Sequence, residues 1–276
     1  MIHRPTLRET LRYGRRPLRW ARPPTCGAFP TWPFTLMGGP YDYVAPGMHD
    51  SLIAYWKLGE ASGTRVDSHG SNNITDNNTV TQAAGIQGNA AQFTAANSEY
   101  LSLADNAAMS TANIDWAFAG WVYFDTVVGG IAEDLVAKYN SSVAAEREYL
   151  LFLNSSSPNR LSWSVRDGAG GTETNVTAST FGTVPTAQWL FVVVDHNAAT
   201  DIISIAVNNG TADTASHTVG GADTIAPFAI GVRSGGSSYM NGRIDETAFW
   251  KRILTSDERS YLWNGGLGRT YPLTTP

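Results

Sequence analysis

Gly242-Arg243-Ile244-Asp245-Glu246-Thr247-Ala248-Phe249-Trp250 closes a stretch that opens with Leu52-Ile53-Ala54-Tyr55-Trp56-Lys57-Leu58. Both runs are rich in aliphatic and aromatic residues, the types that suit a pleated, half-buried surface, so both read as strands. They are expected to lie together as the first and last strands of one domain over residues 51–268. Between them, short apolar runs recur at 99–103, 116–124, 134–139, 148–154, 160–167, 173–178, 188–197, 201–207 and 226–233, separated by clusters of Gly, Asn, Asp and Ser. That spacing predicts an all-β sandwich or jelly roll. Residues 195–201 carry turn chemistry, and Asn209-Gly210 is the strongest hairpin signal of the chain. One helix fits, over 255–262, where Thr255 or Ser256 caps the first turn and Glu258 completes a capping box. No repeat of 20–50 residues is visible, which disfavours solenoids and propellers.

Composition supports one sizeable core: 276 residues are 42% hydrophobic and 16% charged. The net charge of -5 conceals two parts. Residues 1–50 hold seven Arg, no Lys and three acids, and the remainder holds 12 basic and 21 acidic residues. An arm of that sign suits an acidic protein surface, an acidic lipid face or nucleic acid, and charge does not choose among them. The acidic body is a poor surface for DNA. Arg4, Arg8, Arg12, Arg15, Arg16, Arg19 and Arg22, with Trp20 and Trp32, are the expected docking residues of an extended, Pro-stiffened arm. Cys26 stands alone, so no internal disulfide forms. No run of 18 apolar residues exists, so no membrane insertion is expected. The first residues show charge but no apolar signal region, and Pro5, Pro17, Pro23 and Pro24 interrupt a transit-peptide helix.

Seven pieces in order carry a resemblance. They are Ala54-Tyr55-Trp56-Lys57-Leu58-Gly59-Glu60, Gly63-Thr64-Arg65-Val66-Asp67-Ser68-His69-Gly70, Gly85-Ile86-Gln87-Gly88-Asn89-Ala90, Tyr100-Leu101-Ser102-Leu103, Phe118-Ala119-Gly120-Trp121-Val122, Trp189 to Val194 and Ile244 to Trp250. The chain from 50 to 268 resembles the laminin-G-like, concanavalin A-like jelly-roll domains of bacterial surface proteins and phage structural proteins. The resemblance implies a two-sheet antiparallel sandwich; composition sets an extended arm over 1–49 before it, outside the resemblance, and a short tail over 269–276 follows it. The resemblance also implies a structural calcium where the first long loop meets the final strand, with Asp67, Asn72 and Asp245 as the matching ligands. Two carboxylates, an amide and loop carbonyls would make a plausible cage, whereas Asp67 heads a turn and serves equally as its cap.

Catalytic constellations are scarce. Glycoside hydrolysis needs two carboxylates flanking one bond. Glu146 and Glu148 are the best pair by spacing, yet they sit among charges that look like a hairpin rim. The glucanase pattern of two Glu around an Asp on one strand is absent, as are Gly-x-Ser-x-Gly and His-Glu-x-x-His. Trp56, Trp121, Trp189 and Trp250 fall within strand runs and are expected in the core. An exposed ring for stacking on a sugar is sought instead at Trp163 or Tyr239.

A domain type usually displayed outside cells, on a chain without a legible export signal, points to a non-enzymatic virion protein. The expectation is a capsid decoration or head- or tail-associated protein of a phage, docked on another virion protein through its arm and adhering to a host glycan. A bacterial surface or secreted carbohydrate-binding module, cell-surface or extracellular, is the alternative, and a polysaccharide-degrading hydrolase a second. Nucleic acid is a weaker partner for the arm, and homo-oligomerisation is left open.

Overall fold

The computed structural model describes residues 47–156, 158–167 and 171–273. The expectations placed on Arg4, Arg8, Arg12, Arg15, Arg16, Arg19, Trp20, Arg22 and Trp32 fall outside these residues. In chain order the strands are β1 (Leu52–Trp56), β2 (Thr75–Asn77), β3 (Thr81–Ala84), β4 (Asn89–Phe93), β5 (Tyr100–Leu103), β6 (Trp116–Phe124), β7 (Glu133–Tyr139) and β8 (Arg147–Leu153). They continue with β9 (Leu161–Arg166), β10 (Glu173–Thr177), β11 (Trp189–Asn197), β12 (Ile202–Val207), β13 (Asp213–Ser216), β14 (Phe228–Ile230) and β15 (Gly242–Trp250), followed by the helix α1 (Ser256–Trp263). No helix of the described residues is long and apolar enough to cross a membrane.

All pairings are antiparallel, as expected for a jelly-roll sandwich. One sheet runs β13-β12-β11-β6-β15-β4-β3, with β1 also beside β15, and the other runs β10-β9-β8-β7-β14-β5-β2. The first and last strands pair as anticipated, with Tyr55 opposite Ala248 and Trp56 opposite Thr247. β15 changes partner along one edge: Gly242–Ile244 pair with β4, and Thr247–Trp250 pair with β1. At that hand-over the register with β6 shifts between Asp245 and Ala248, and Glu246 takes φ +47. A bulge of this kind re-aims side chains.

The space between the sheets is filled by Trp56, Trp116, Tyr149, Trp163, Phe228 and Phe249, among others. A second apolar layer covers the other face of the first sheet, where Tyr55, Trp121, Phe191 and Trp250 meet Leu254, Tyr261 and Leu262 of the helical segment. Strands buried on both faces read as nearly continuous apolar runs, which explains Trp116-Ala117-Phe118-Ala119-Gly120-Trp121-Val122 in β6. Met48 and Leu273 belong to this layer, and the Met48 carbonyl accepts the Trp250 indole N–H at 2.9 Å. The packed body therefore reaches beyond 50–268 at both ends.

The outer face of the second sheet is different. Its apolar content is a small group, Ala137, Tyr139 and Leu150 with Phe152 beside them. The remaining outward positions include Ser102, Ser162, Ser164, Glu173 and Thr177, whose side chains bond to one another or to neighbours along the face. No described element covers this face as α1 covers the other sheet.

Candidate functional site

A cavity of about 240 Å³ opens where β5 and β14 of the second sheet meet the segment that follows β14. Ser102 and Ala229, paired across the two strands, form a floor of small side chains. Tyr100 and Tyr239 line it, their ring centroids 6.4 Å apart and their planes inclined by 49°. Both rings are half-buried. Gly231 starts the enclosing segment at φ +94, where a side chain would strike the Phe93 ring, so only glycine turns the chain there. The segment is then pinned to β7: Gly231 N–H donates to Leu135 O, Ser234 N–H to Tyr139 O, and Ser238 O accepts from Asp134 N–H. The cavity wall is a fixed loop on a rigid sheet, the arrangement that positions binding groups accurately.

Arg233 supplies the cation of this wall. Its Nε donates to the Asp134 carboxylate at 2.9 Å, and its guanidinium carbon lies 5.6 Å from the centroid of the Tyr139 ring. Asp134 is fully buried, and burial pushes its carboxyl up against the opposing effect of Arg233.

Of the two rings sought from sequence, Tyr239 lies at the cavity and Trp163 does not face solvent at all. Trp163 is 1% exposed, packs edge-on against Trp116 at 5.2 Å and donates its indole N–H to Asp195 O. It alternates inward between Ser162 and Ser164, so the period of two that makes β9 a strand sends it into the core. Tyr100 and Arg233 were read only as strand residues; the Arg-Ser-Gly-Gly-Ser-Ser-Tyr run that follows β14 marks Arg233, and Tyr100 is placed at the cavity only by the pairing of β5 with β14.

The expected calcium ligands are used otherwise. One Asp67 oxygen accepts N–H groups from Tyr55, His69 and Gly70, and the other accepts the backbone and side-chain N–H of Asn72. Burial raises this carboxyl, but the backbone N–H groups outweigh it and hold it below its usual range. Five N–H donors leave no lone pair aimed at a cation. Asp245 instead accepts from Ile86 and Gln87 N–H at 2.7 and 3.1 Å, and burial pushes it up to about 7. No hydrogen bond joins Asp245 to Asp67 or Asn72 among the described residues, and these residues contain no cluster of three His, Cys, Asp or Glu fit for a metal. Asp67 and Asn72 close a turn, and Asp245 anchors the 85–87 loop through Oδ2, its buried Oδ1 having no partner among the described residues.

The Glu146 and Glu148 pair is separated in the same way. Glu146 binds the Asn140 side chain at 2.8 Å. Glu148 is fully buried in an ion pair with Lys138 and accepts from Thr111 and Thr224. A carboxyl locked between two loops cannot flank a glycosidic bond. A second, broader cleft of about 400 Å³ lies near the β15 bulge, lined by Lys57, Glu60, Gln87, Asn89 and Glu246. There Glu246 accepts the Tyr55 hydroxyl at 2.5 Å.

Residues 95–258, more than half of the chain, match the family described as Laminin_G_3, Concanavalin A-like lectin/glucanases superfamily. The chain belongs to this superfamily. No curated protein sequence matches it. Among solved structures, this lectin/glucanase-like chain is similar to the binding domain of Paraclostridial Mosquitocidal Protein 1, with TM-score 0.65 and 14% identity over 79% of this chain and 53% of that one. It is similar to domain 4 of AbnA, a GH43 extracellular arabinanase from Geobacillus stearothermophilus solved in complex with arabinotriose, with TM-score 0.57 and 17% identity over 79% and 98%. A botulinum neurotoxin type C structure, whose cell entry depends on two ganglioside molecules, gives TM-score 0.62 and 15% identity over 82% and 53%. The chain thus spans about half of each toxin structure and nearly all of the arabinanase domain. At these identities the likeness establishes the fold.

Proposed function

We propose that this chain is a non-catalytic carbohydrate-binding module that takes a sugar against the rings of Tyr100 and Tyr239 on the outer face of its second sheet. The observation that carries this reading is the pair of half-buried tyrosine rings over a floor of Ser102 and Ala229, on the sheet face that no described element covers. Aromatic rings offer flat apolar area to the C–H face of a pyranose, and serine and arginine groups at the rim take its hydroxyls. One named likeness is to a toxin binding domain, and the one whose length this chain nearly fills was solved in complex with arabinotriose. A place outside the cell, on a bacterial surface or secreted, accords with such a module. The virion reading, which joins a domain type displayed outside cells to the lack of a legible export signal, draws no support from these likenesses.

Isothermal titration against a panel of soluble oligosaccharides tests the proposal. A bound glycan should lose about tenfold in affinity, or about 1.4 kcal/mol, when Tyr239 or Tyr100 is replaced by Ala. Undiminished binding by both variants would place any glycan site elsewhere, with the cleft beside Glu246 the next to be altered.

A further inference from the structure

We propose that the cavity lined by Tyr100 and Tyr239 selects an acidic sugar, and that Arg233 is the residue that recognises its carboxylate; the inference rests on the glycan-binding reading. Three features of the cavity carry it. First, Arg233 lines the cavity with its Nε edge already committed: that N–H and the Arg233 backbone N–H both donate to Asp134. Neither Nη of Arg233 has a hydrogen-bond partner among the described residues, so no described group takes the donors at the end of the guanidinium. The planar fork of an arginine matches the two oxygens of a carboxylate, and charge-assisted bonds of this kind are roughly twice as strong as neutral ones.

Second, the fork is held rigid. Asp134 is fully buried behind it, and the Tyr139 ring supports the guanidinium at 5.6 Å. A pre-anchored side chain loses little rotamer entropy when a ligand arrives. Third, no acidic side chain lines the cavity, although the chain as a whole carries a net charge of -5. The broader cleft near β15 sets Glu60 beside Lys57 and has no arginine in its lining. The volume of about 240 Å³ is below the roughly 300 Å³ at which sites for larger ligands begin, so one sugar unit enters rather than several. An acidic pyranose suits these features: its ring against the tyrosines, its hydroxyls toward Ser102 and Ser234, its carboxylate on Arg233.

Because Asp134 already balances the charge of Arg233, the gain comes from directed hydrogen bonds more than from long-range attraction. The expected preference for the acidic sugar is therefore about tenfold and survives moderate salt. Matched pairs test this by titration calorimetry: trigalacturonic acid against galactotriose, and sialyllactose against lactose, which separates a uronic from a sialic source. The wild-type chain should bind the acidic member of one pair about tenfold more tightly. Arg233→Gln should abolish the difference, and Arg233→Lys should restore only part of it. Since removing Arg233 leaves Asp134 buried and unpaired, the double variant Asp134→Asn/Arg233→Gln serves as the folded control, verified by its thermal midpoint. Equal binding of acidic and neutral members overturns the inference and leaves the glycan site standing. Retained discrimination in the double variant also overturns it. Failure of every saccharide, acidic or neutral, removes the glycan reading and this inference together.

Discussion

Glu246 shows what a single backbone irregularity does to chemistry. The β15 bulge puts it at φ +47 and turns its carboxyl toward the Tyr55 hydroxyl, in a residue only 5% exposed. Burial disfavours its charge, the Tyr55 bond partly offsets this, neighbouring Asp245 adds to it, and the carboxyl is pushed up to about 8. Unfolded, a glutamate titrates near about 4.3. Between those values the folded state holds a proton that the unfolded state has released. The group's contribution to stability is therefore full below about 4.3 and is lost as pH rises through about 8. Asp245 and Glu133, both pushed up to about 7 by burial, act in the same direction. Asp67 and Glu258, both lowered, act oppositely: their contribution is present above the unfolded value and lost as pH falls through the folded one. The thermal midpoint should fall between pH 5.5 and 8.5. Glu246→Gln, neutral at every pH and able to accept the Tyr55 bond, should shrink that fall by an amount on the order of 1–2 kcal/mol, or roughly 2–8 °C. Parallel pH profiles for variant and wild type would exclude Glu246 as a source of the dependence.

Elements show where local chemistry suffices. The helix was legible because its start is written in side chains: Thr255 accepts from Glu258 N–H, and Glu258 accepts from Thr255 N–H. Glu258 also binds Arg252 at 2.7 Å and fastens the helix to the end of β15. Thr255→Ala should destabilise the protein by about 1 kcal/mol, and Glu258→Ala by more, since it loses the cap and the Arg252 pair together. Urea unfolding ranks the two, and a larger loss for Thr255→Ala would contradict this division of roles. The hairpin between β12 and β13 is likewise local, although its turn centres on Asn208 and Asn209, at φ 52 and 55, one residue before the Asn209-Gly210 pair. Strands β2, β3, β4 and β13 had no such signature. β2, β3 and β13 are edge strands of three or four residues, Thr-Asp-Asn, Thr-Gln-Ala-Ala and Asp-Thr-Ala-Ser, with little apolar surface to announce them. Charged and polar edges of that kind resist pairing with other chains.

The whole molecule is asymmetric across its sheets. The first sheet is covered twice, by the inter-sheet core and by the layer that includes Met48, Leu254, Tyr261, Leu262 and Leu273. Among the described residues, no element packs over the outer face of the second sheet as α1 packs over the first. The outer layer on the first sheet draws on both ends of the described chain, so it should report on where the body begins. A chain starting at Gly47 should unfold in one cooperative transition. A chain starting at Asp50 loses buried Met48 and the carbonyl that accepts the Trp250 indole, and should be less stable by about 2–4 kcal/mol. Urea denaturation of the two fragments measures the difference, and equal midpoints would show that Met48 contributes no stability.

The all-β class, the pairing of first and last strands and the capped helix were written in the order of residues, because period-two hydrophobicity, turn residues and caps act over a few positions. The assignment of functional groups was not. Trp163 and Tyr239 both looked available, and their burial depends on which sheet face each strand turns outward. Asp67 and Asp245 both looked like cation ligands, and N–H groups brought by Tyr55 from β1 and by the 85–87 loop had already claimed them. Tyr100 and Arg233 lie more than a hundred residues apart and meet at one cavity because β5 and β14 are neighbours in the sheet. Which side chains converge, which remain open to a ligand and which are spent on holding loops is set by long-range pairing, and that information has no local signature.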